Sequence, residues 1–347
     1  MFKLNPFKNS FGLDLSEDAI RLVKIDKKKK KLISLNEENI EPGIIEDGEI
    51  KEEKKLKKYI SKLIEKPHGH KLRTKFVHCG IPERKTFIKL IEVNNRHKSS
   101  LSEAIKWEAS QHIPFSPDKI YLDWNIIKTK NANNNASVLV GAAPKIIIDS
   151  YSKIINSVNL TPLSFEMESV ATIRAIIAQN NKISQTTLVI DLGGNHTNLI
   201  IFDRNSIQFS SSLTFSGEKI TKKIMEKLKI NREDAEKLKI LYGLEKKKGK
   251  GKIRKVIEPE FNKLTDKINE IESFYINHFP HSNKIKDIIL CGGGSQLKYL
   301  PQLISHKTKK STILANPLNY LNSDKKIKNI IKKNSPSFTT AIGLALK

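Results

Sequence analysis

Residues 187–202 read TLVIDLGGNHTNLIIF: an apolar strand that ends at Asp191, a sharp glycine turn, and a second apolar strand. Residues 11–26, FGLDLSEDAIRLVKID, repeat this arrangement around Asp14. The two aspartates lie 191 − 14 = 177 residues apart, as if one half-domain had been duplicated. Two facing hairpins of this kind predict a phosphate clamp, because turn amides point at phosphate oxygens and each aspartate can hold a magnesium ion or its waters.

A third element follows at residues 287–300, DIILCGGGSQLKYL, an apolar strand that runs into three glycines and a serine. Glycine lets the backbone approach a flat base or a phosphate closely, where a Cβ would collide. A single Asp-x-Gly turn is equally explained by a tight hairpin with a capping aspartate. Three strand-and-turn elements in this order, two with a terminal aspartate and two with glycines, favour a nucleotide site.

These elements resemble the actin-like ATPase superfamily and, within it, the PilM-like proteins of type IV pilus assembly. The resemblance covers essentially the whole chain and extends to stretches outside the nucleotide loops. These stretches are Glu41–Ile50 (EPGIIEDGEI), Ala104–Trp124 (AIKWEASQHIPFSPDKIYLDW), Val138–Lys145 (VLVGAAPK), Phe165–Ala175 (FEMESVATIRA), Asp234–Ile240 (DAEKLKI) and Phe338–Leu346 (FTTAIGLAL).

The resemblance implies an α/β, two-lobed actin-like ATPase fold with duplicated ribonuclease H-like lobes and a small inserted α+β subdomain. The implied domains are a first-lobe core at 1–84 (with 163–186 and 335–347), the inserted subdomain at 85–162, and a second lobe at 187–334 that includes a variable helical part at 231–284. Within 85–162 the hydrophobic pattern itself predicts the order strand, helix, strand, strand, helix. The lysine-rich run 245–255 predicts a flexible linker ahead of an amphipathic helix over 257–278.

By the same resemblance, ATP and magnesium would lie in the cleft between the lobes. Asp14 and Asp191 would hold the magnesium ion, directly or through water, and Glu168 would orient the attacking water. The other residues expected at the nucleotide are Ser16, Gly193, Gly194, Asn195, Thr197 and Gly217 at the phosphates, Glu236 and Lys239 at ribose and base, and Gly292, Gly293, Gly294 and Ser295 at the adenine and α-phosphate. Glu236 and Lys239 also have the spacing of an ordinary ion pair on a helix surface.

The first turn departs from the superfamily pattern. Asp14 is followed by Leu15, Ser16, Glu17 and Asp18, where the usual turn has a glycine and small residues. Ser16 can still donate its hydroxyl and amide to a phosphate. The next two carboxylates would lie near a triphosphate, and two like charges 4 Å apart repel by about 4 kcal/mol at an effective dielectric constant of 20. This turn therefore predicts slow ATP hydrolysis at most.

Composition sets further limits. The chain has 347 residues and a net charge of +25, with lysines in runs at expected turns and loops. No aromatic residues interleave with these runs, so scattered surface lysines are favoured over a nucleic-acid site, and an affinity for an acidic membrane face stays open. The two cysteines, Cys79 and Cys291, have no CxxC spacing, which excludes a disulfide framework and fits a reducing cytosol. Neither a signal peptide nor a membrane span is predicted.

The resemblance also implies partners and a location. PilM-like proteins bind the N-terminal cytoplasmic peptide of PilN, an inner-membrane protein, and contact the assembly platform and motor of the pilus or of a related type II secretion-like system. The peptide-binding groove is expected in the inserted subdomain, between Lys85–Val93, Trp107–Phe115 and Val138–Ala143. The protein would be cytoplasmic, peripheral at the inner face of the cytoplasmic membrane, with self-association left open.

Three other classes of function remain as alternatives at this point. A small-molecule kinase of the same fold would need a general base beside its acceptor, and none is recognisable. An FtsA-like division protein would be expected to carry a C-terminal membrane helix. A nucleic-acid binder would show steeply salt-dependent binding.

Overall fold

The computed structural model describes residues 9–94, 101–127, 135–179, 183, 185–279, 282–331 and 334–347. Residues 1–8, the start of the predicted first lobe, lie outside this set. The strands are β1 (Phe11–Leu15), β2 (Ala19–Asp26), β3 (Lys31–Asn39), β4 (Ile45–Glu46), β5 (Glu49–Ile50), β6 (His68–Gly69), β7 (Phe76–Ile81), β8 (Phe87–Asn94), β9 (Ile120–Ile127), β10 (Asn135–Pro144), β11 (Thr161–Met167), β12 (Thr187–Leu192), β13 (Thr197–Asp203), β14 (Ser206–Leu213), β15 (Asp287–Cys291) and β16 (Ser311–Leu314).

The helices alternate with these strands along most of the chain. They are α1 (Glu53–Glu65), α2 (Leu101–Ser110), α3 (Lys145–Ser157), α4 (Glu168–Gln179), α5 (Gly217–Leu228), α6 (Arg232–Tyr242), α7 (Lys252–His278), α8 (Leu300–Thr308), α9 (Lys325–Ile331) and α10 (Thr339–Ala345). Short 3₁₀ helices lie at Glu83–Lys85, Pro117–Lys119, Lys248–Gly251, Gly293–Gln296 and Ser335–Phe338.

The first sheet has six strands in the order β11-β7-β1-β2-β3-β6. Its central hairpin is β1–β2, and β7 and then β11 are added in parallel beside β1. Apolar side chains of α1 and α3 pack on one face, and α4 and α10 cover the other. Gly12 permits the approach of α10, because a Cβ there would lie 2.4 Å from the carbonyl oxygen of Ala341.

The second sheet has eight strands in the order β16-β15-β12-β13-β14-β8-β10-β9. Its β12–β13 hairpin, with β15 in parallel beside β12, repeats the β1–β2 hairpin and its parallel neighbour β7. Apolar residues of α5, α7 and α8 form the core on one face. The duplicated hairpins predicted from the two aspartate-containing stretches are thus confirmed.

The subdomain predicted at 85–162 has the expected order β8, α2, β9, β10, α3. Its strands continue the second sheet, since Phe209 of β14 pairs with Lys89 of β8. Its last helix instead packs on the first sheet, where Tyr151 is fully buried and donates its hydroxyl to the carbonyl oxygen of Gly48. The unit therefore touches both lobes. Its boundaries as a domain stay a prediction.

The predicted linker was wrong in part. A 3₁₀ helix occupies Lys248–Gly251, and α7 begins at Lys252, five residues before the predicted start at Ile257. Ile253 and Ile257 of this first turn are buried in the second-lobe core. Apolar burial at a spacing of four residues therefore orders a stretch whose lysines suggested flexibility.

Candidate functional site

A cavity of about 90 Å³ lies between the two sheets, at the ends of β1, β12 and β15. It brings together nine of the residues predicted for the site. These are Asp14, Ser16, Glu168, Asp191, Gly193, Gly194, Asn195, Gly292 and Gly293. The other six predicted residues do not line it, and these are Thr197, Gly217, Glu236, Lys239, Gly294 and Ser295.

Asp14 and Asp191 both face this cavity from equivalent strands. Asp14 accepts a hydrogen bond of 3.2 Å from the hydroxyl of Ser16, and its Oδ2 lies 3.9 Å from Nη1 of Arg21. Asp191 accepts hydrogen bonds from the hydroxyls of Thr172 and Thr340 at 3.3 and 3.4 Å. Burial raises the pKa of Asp191, and it raises the pKa of Asp14 to about 6 although Arg21 opposes the change.

Two further carboxylates line the same cavity, those of the partly buried Glu168 and the buried Glu83. Glu168, the first residue of α4, accepts a 2.9 Å hydrogen bond from Nδ2 of Asn198, and burial raises its pKa well above the usual range. Glu83 follows β7, accepts a 3.0 Å hydrogen bond from the amide of Ser169, and also contacts the hydroxyl of Ser210. Burial raises the pKa of Glu83 as well.

Three residues that line the cavity were not predicted from the sequence, namely Glu83, Arg21 and Asn198. Arg21 was detectable, because in the first hairpin it lies directly across from Asp14. Glu83 would have required the knowledge that β7 lies beside β1, a pairing between distant parts of the chain.

Six carboxylates line the cavity against the two guanidiniums of Arg21 and Arg84, and these carboxylates are those of Asp14, Glu17, Asp18, Glu83, Glu168 and Asp191. Asp14, Glu83 and Arg21 are buried. An excess of buried negative charge is relieved either by protonation or by a bound cation. Carboxylate oxygens are the ligands that magnesium prefers. Asp14 and Asp191 could hold such an ion, and Glu168 lies close enough to both aspartates for their charges to raise its pKa further.

The second turn is built largely from backbone contacts. The amide of Gly193 donates to the carbonyl oxygen of His196 at 2.9 Å, and Thr197 donates its hydroxyl to the carbonyl oxygen of Phe215 at 2.6 Å. The amide of Gly217, predicted to meet a phosphate, lies 3.4 Å from the carbonyl oxygen of Gly193. Thr197 and Gly217 thus hold the turn against the start of α5 in this conformation.

Glu236 and Lys239 lie just outside the cavity, where α6 meets α5. Lys239 Nζ is 2.7 Å from Glu236 and donates to the carbonyl oxygen of Gly217 at 3.1 Å and to the hydroxyl of Thr221 at 2.8 Å. The ion pair foreseen as an alternative is therefore present. It lies beside the second turn, since a Cβ on Gly217 would be 3.5 Å from Nζ of Lys239.

The third turn begins at Gly292, whose φ of +76° favours glycine. A Cβ there would lie 2.4 Å from Oδ1 of Asp191. Ser295 is buried and donates its hydroxyl to the carbonyl oxygen of Gly292 at 2.7 Å. The turn therefore packs directly on the second aspartate.

The acidic residues of the first turn, Glu17 and Asp18, contact the second turn. Glu17 accepts hydrogen bonds from the amide of Gly48 at 3.1 Å and from Nδ2 of Asn195 at 2.8 Å. The carboxylate of Asp18 packs on Gly194, where an added Cβ would lie 2.4 Å from Oδ2. Both acidic side chains of the first turn, Glu17 and Asp18, therefore contact the second turn across the cleft.

A separate groove of about 600 Å³ crosses the inserted subdomain. Its lining residues are Pro114, Phe115, Ser116, Asp118, Lys119, Ile120, Pro144, Lys145 and Ile146. Ile146 is 77% exposed, and the nearby helix α2 carries Trp107 at 66% exposure. Of the predicted walls, the stretch Trp107–Phe115 reaches this groove through Pro114 and Phe115. The stretches in β8 and β10 do not line it, because β9 is the outermost strand.

Two duplicated strand hairpins that close over a shared acidic cavity define an actin-like ATPase fold. The same fold is found in solved structures to which the chain is similar. MreB5 of Spiroplasma citri bound to ADP has a TM-score of 0.56 and 15% identity, covering 93% of this chain and 96% of that one. The ethanolamine utilization protein EutJ from Carboxydothermus hydrogenoformans has a TM-score of 0.60 and 15% identity, covering 97% and 88%.

Within this class, the family model for type IV pilus assembly protein PilM matches residues 12–347, and the chain belongs to that family. The solved structure of a PilM–PilN type IV pilus biogenesis complex has a TM-score of 0.84 and 23% identity, covering 97% of this chain and 98% of that one. The cell division protein FtsA of Buchnera aphidicola is 26% identical over 182 residues, which are 45% of this chain and 42% of that protein. The chain thus aligns with less than half the length of this curated relative. Among the described residues, no helix has both the length and the apolar character needed to cross a bilayer.

Proposed function

We propose that the protein is a cytoplasmic, nucleotide-binding scaffold of type IV pilus assembly that binds ATP and magnesium between its lobes. The observation that carries this proposal is the meeting of Asp14 and Asp191, from equivalent strand ends, at one cavity between the lobes. Membership of the PilM family supports the pilus assignment over a kinase. It also favours a pilus protein over a division protein, because the match to FtsA covers less than half of the chain.

In the proposed complex, Asp14 and Asp191 hold magnesium and Glu168 orients water. The turn residues Gly193, Gly194 and Asn195 contact the phosphates. The excess of buried carboxylates supports a divalent cation, since ionising all of them without one would be unfavourable. The ion supplies the charge that lets triphosphate and carboxylates share the cleft.

ATP binding requires the lobes to move apart. The cavity holds about 90 Å³, whereas small-molecule pockets usually have roughly 300–1,000 Å³. Several contacts close the cleft, including those of Asn198 with Glu168 and of Thr172 with Asp191. Nucleotide state would therefore change the angle between the lobes, and this change could reach the motor side.

The nucleotide proposal is tested by isothermal titration with Mg·ATP. Asp191→Asn should weaken binding at least tenfold, because it removes a charged ligand of the cation. Asp287→Asn is the matched control, since it makes the same change on β15, at the end of the strand farther from the cavity. Binding that is equal in wild type and Asp191→Asn would remove this aspartate from the site.

The groove of the inserted subdomain supports binding of the N-terminal peptide of a PilN-like membrane protein. Its floor and rim combine apolar residues, Phe115, Ile120 and Ile146, with Lys119 and Lys145. It adjoins β9, the end strand of the described sheet, so an extended peptide could add alongside it. Such a partner would place the protein at the inner face of the membrane.

Peptide binding is measured by fluorescence anisotropy with the labelled N-terminal segment of the PilN-like protein of the same organism. Ile146→Glu should weaken binding at least tenfold, because it puts a charge into the groove. Ile240→Glu is the control, since Ile240 is also exposed, at 63%, but lies on α6. Equal weakening by the two changes would place the peptide elsewhere.

A further inference from the structure

The two lobes meet at the mouth of the cleft through a group of polar side chains, here named the rim latch. The first lobe contributes Glu17, Asp18, Asp47 and Arg84, and the second lobe contributes Gly194, Asn195 and His196. These residues are separated in sequence by more than a hundred positions and lie on opposite sides of the cavity. Their contacts therefore hold the lobes together directly.

Glu17 is the centre of the latch. Its two carboxylate oxygens accept separate hydrogen bonds, Oε1 from the amide of Gly48 and Oε2 from Nδ2 of Asn195. Nδ1 of His196 lies 3.6 Å from the same carboxylate. Arg84 Nη1 contacts both Asp47 and Nε2 of His196, which adds a second bridge across the cleft.

Asp18 makes a further contact with the second turn, at Gly194. Its carboxylate fills the space above Gly194 that a Cβ would otherwise occupy. Gly194 and Asn195 are the residues expected to contact phosphate, and the carboxylates of Asp18 and Glu17 lie against them. A carboxylate offers hydrogen-bond donors the same kind of charged oxygen that a phosphate does.

We propose that Glu17 and Asp18 take the place of nucleotide phosphate at the second turn, so that the cleft is latched shut without nucleotide and Mg·ATP must displace them to bind. This inference rests on the proposed nucleotide function. It accounts for a first turn that carries two acids where the superfamily has glycine and small residues. It also explains why the cavity is too small for a nucleotide although both hairpins are present.

The test combines Mg·ATP titration with hydrogen exchange of the nucleotide-free protein. The variants are Glu17→Ala, Asp18→Ala and their double, with Glu17→Gln as a conservative change that keeps the side-chain length. Glu41→Ala is the control, because Glu41 is an exposed acid of the same lobe that pairs with Lys55. The double variant should bind Mg·ATP at least tenfold more tightly than wild type, and the control should stay within twofold.

Without nucleotide, the double variant should exchange faster in residues 45–51 and 193–198, with Gly48 losing the acceptor of its amide. Unchanged exchange in both segments would overturn the latch. Unchanged Mg·ATP affinity would also overturn it if Asp191→Asn still weakens binding, because the nucleotide site would then be intact. If no variant binds Mg·ATP, the proposed nucleotide function fails, and exchange alone decides whether the latch closes the cleft.

Discussion

The two hairpins that face each other across the cleft have the same backbone and opposite chemistry. In the first, Asp14 pairs across the ladder with Arg21, whereas in the second Asp191 pairs with Asn198. The first turn carries Glu17 and Asp18, and the second carries glycines. The two hairpins thus have equivalent strand ends but different turns. The first turn carries two acidic side chains, whereas the second is a glycine turn on which those side chains pack.

The first prediction tests the difference between the two hairpins by removing the cation of the first hairpin, Arg21. Arg21 is buried, contacts Asp14, and donates to Glu37 at 2.7 Å. Arg21→Met keeps the length of the side chain but leaves buried carboxylates without their partner, which should lower the free energy of unfolding by about 3–5 kcal/mol. Urea unfolding at pH 7 measures this loss.

The matched change in the second hairpin is Asn198→Ala. It removes the amide donor to Glu168 and should lower the free energy of unfolding by about 1–3 kcal/mol, the range for leaving a hydrogen-bonding partner unsatisfied. If both variants lost equal stability, the proposed division of roles between the hairpins would be wrong.

A second prediction concerns pH. Burial raises the pKa of Asp14 from 3.8 to about 6, so between these values the folded protein keeps a proton that the unfolded chain has lost. Stability should therefore fall as the pH rises through this window, with the full loss present above the folded pKa. Without magnesium, Asp14→Asn should stabilise the protein by up to about 3 kcal/mol at pH 8 and have little effect at pH 4.

The measurement is urea unfolding of wild type and Asp14→Asn from pH 4 to pH 8 in the presence of a chelator. Asp287→Asn controls for the loss of an aspartate outside the cavity. A variant that is less stable than wild type at pH 8 would mean that the Arg21 contact outweighs the burial of the carboxylate.

Magnesium gives a third, somewhat smaller effect on the same carboxylates. At pH 8, a concentration of 100 times its dissociation constant should stabilise the wild-type protein by about 2.7 kcal/mol. At pH 5 the gain should shrink, because protonation of the buried carboxyls competes with the ion. Thermal unfolding with and without magnesium measures this gain, and Asp191→Asn should lose most of it. A gain that survives in that variant would place the ion elsewhere.

Site residues could be predicted from the sequence where they depend on local patterns, but not where they depend on contacts between distant parts of the chain. Asp14, Asp191, Gly292 and Gly293 could be placed at the cavity from the sequence because each lies in a strand-and-turn pattern within a short stretch. Glu83 could not, because its place in the site depends on β7 pairing with β1. The first-turn acids were recognised as a departure, but their bonds to Asn195 and contact with Gly194 depend on how the two lobes close.

The partner groove shows a similar limit. Its wall at Trp107–Phe115 was expected from the family resemblance, together with walls at Lys85–Val93 and Val138–Ala143. The remaining walls come from the 3₁₀ turn at Pro117–Lys119 and the start of α3, which meet because β9 and β10 pair. Strand order in the sheet decides which predicted stretches face solvent, and no periodic pattern in the sequence records that order.

The smallest expected effect tests a single contact between the hairpins. Gly194→Ala places a methyl group against the carboxylate of Asp18, an exposed side chain that can turn aside, and should lower the free energy of unfolding by about 0.5–1 kcal/mol. In an Asp18→Ala background the same change should lower it by less than about 0.5 kcal/mol, because the obstructing carboxylate is gone. A double-mutant cycle by urea unfolding therefore yields a coupling of about 0.5 kcal/mol. Additive losses would mean that Asp18 leaves this space free in solution, and the first turn would then face the second without touching it.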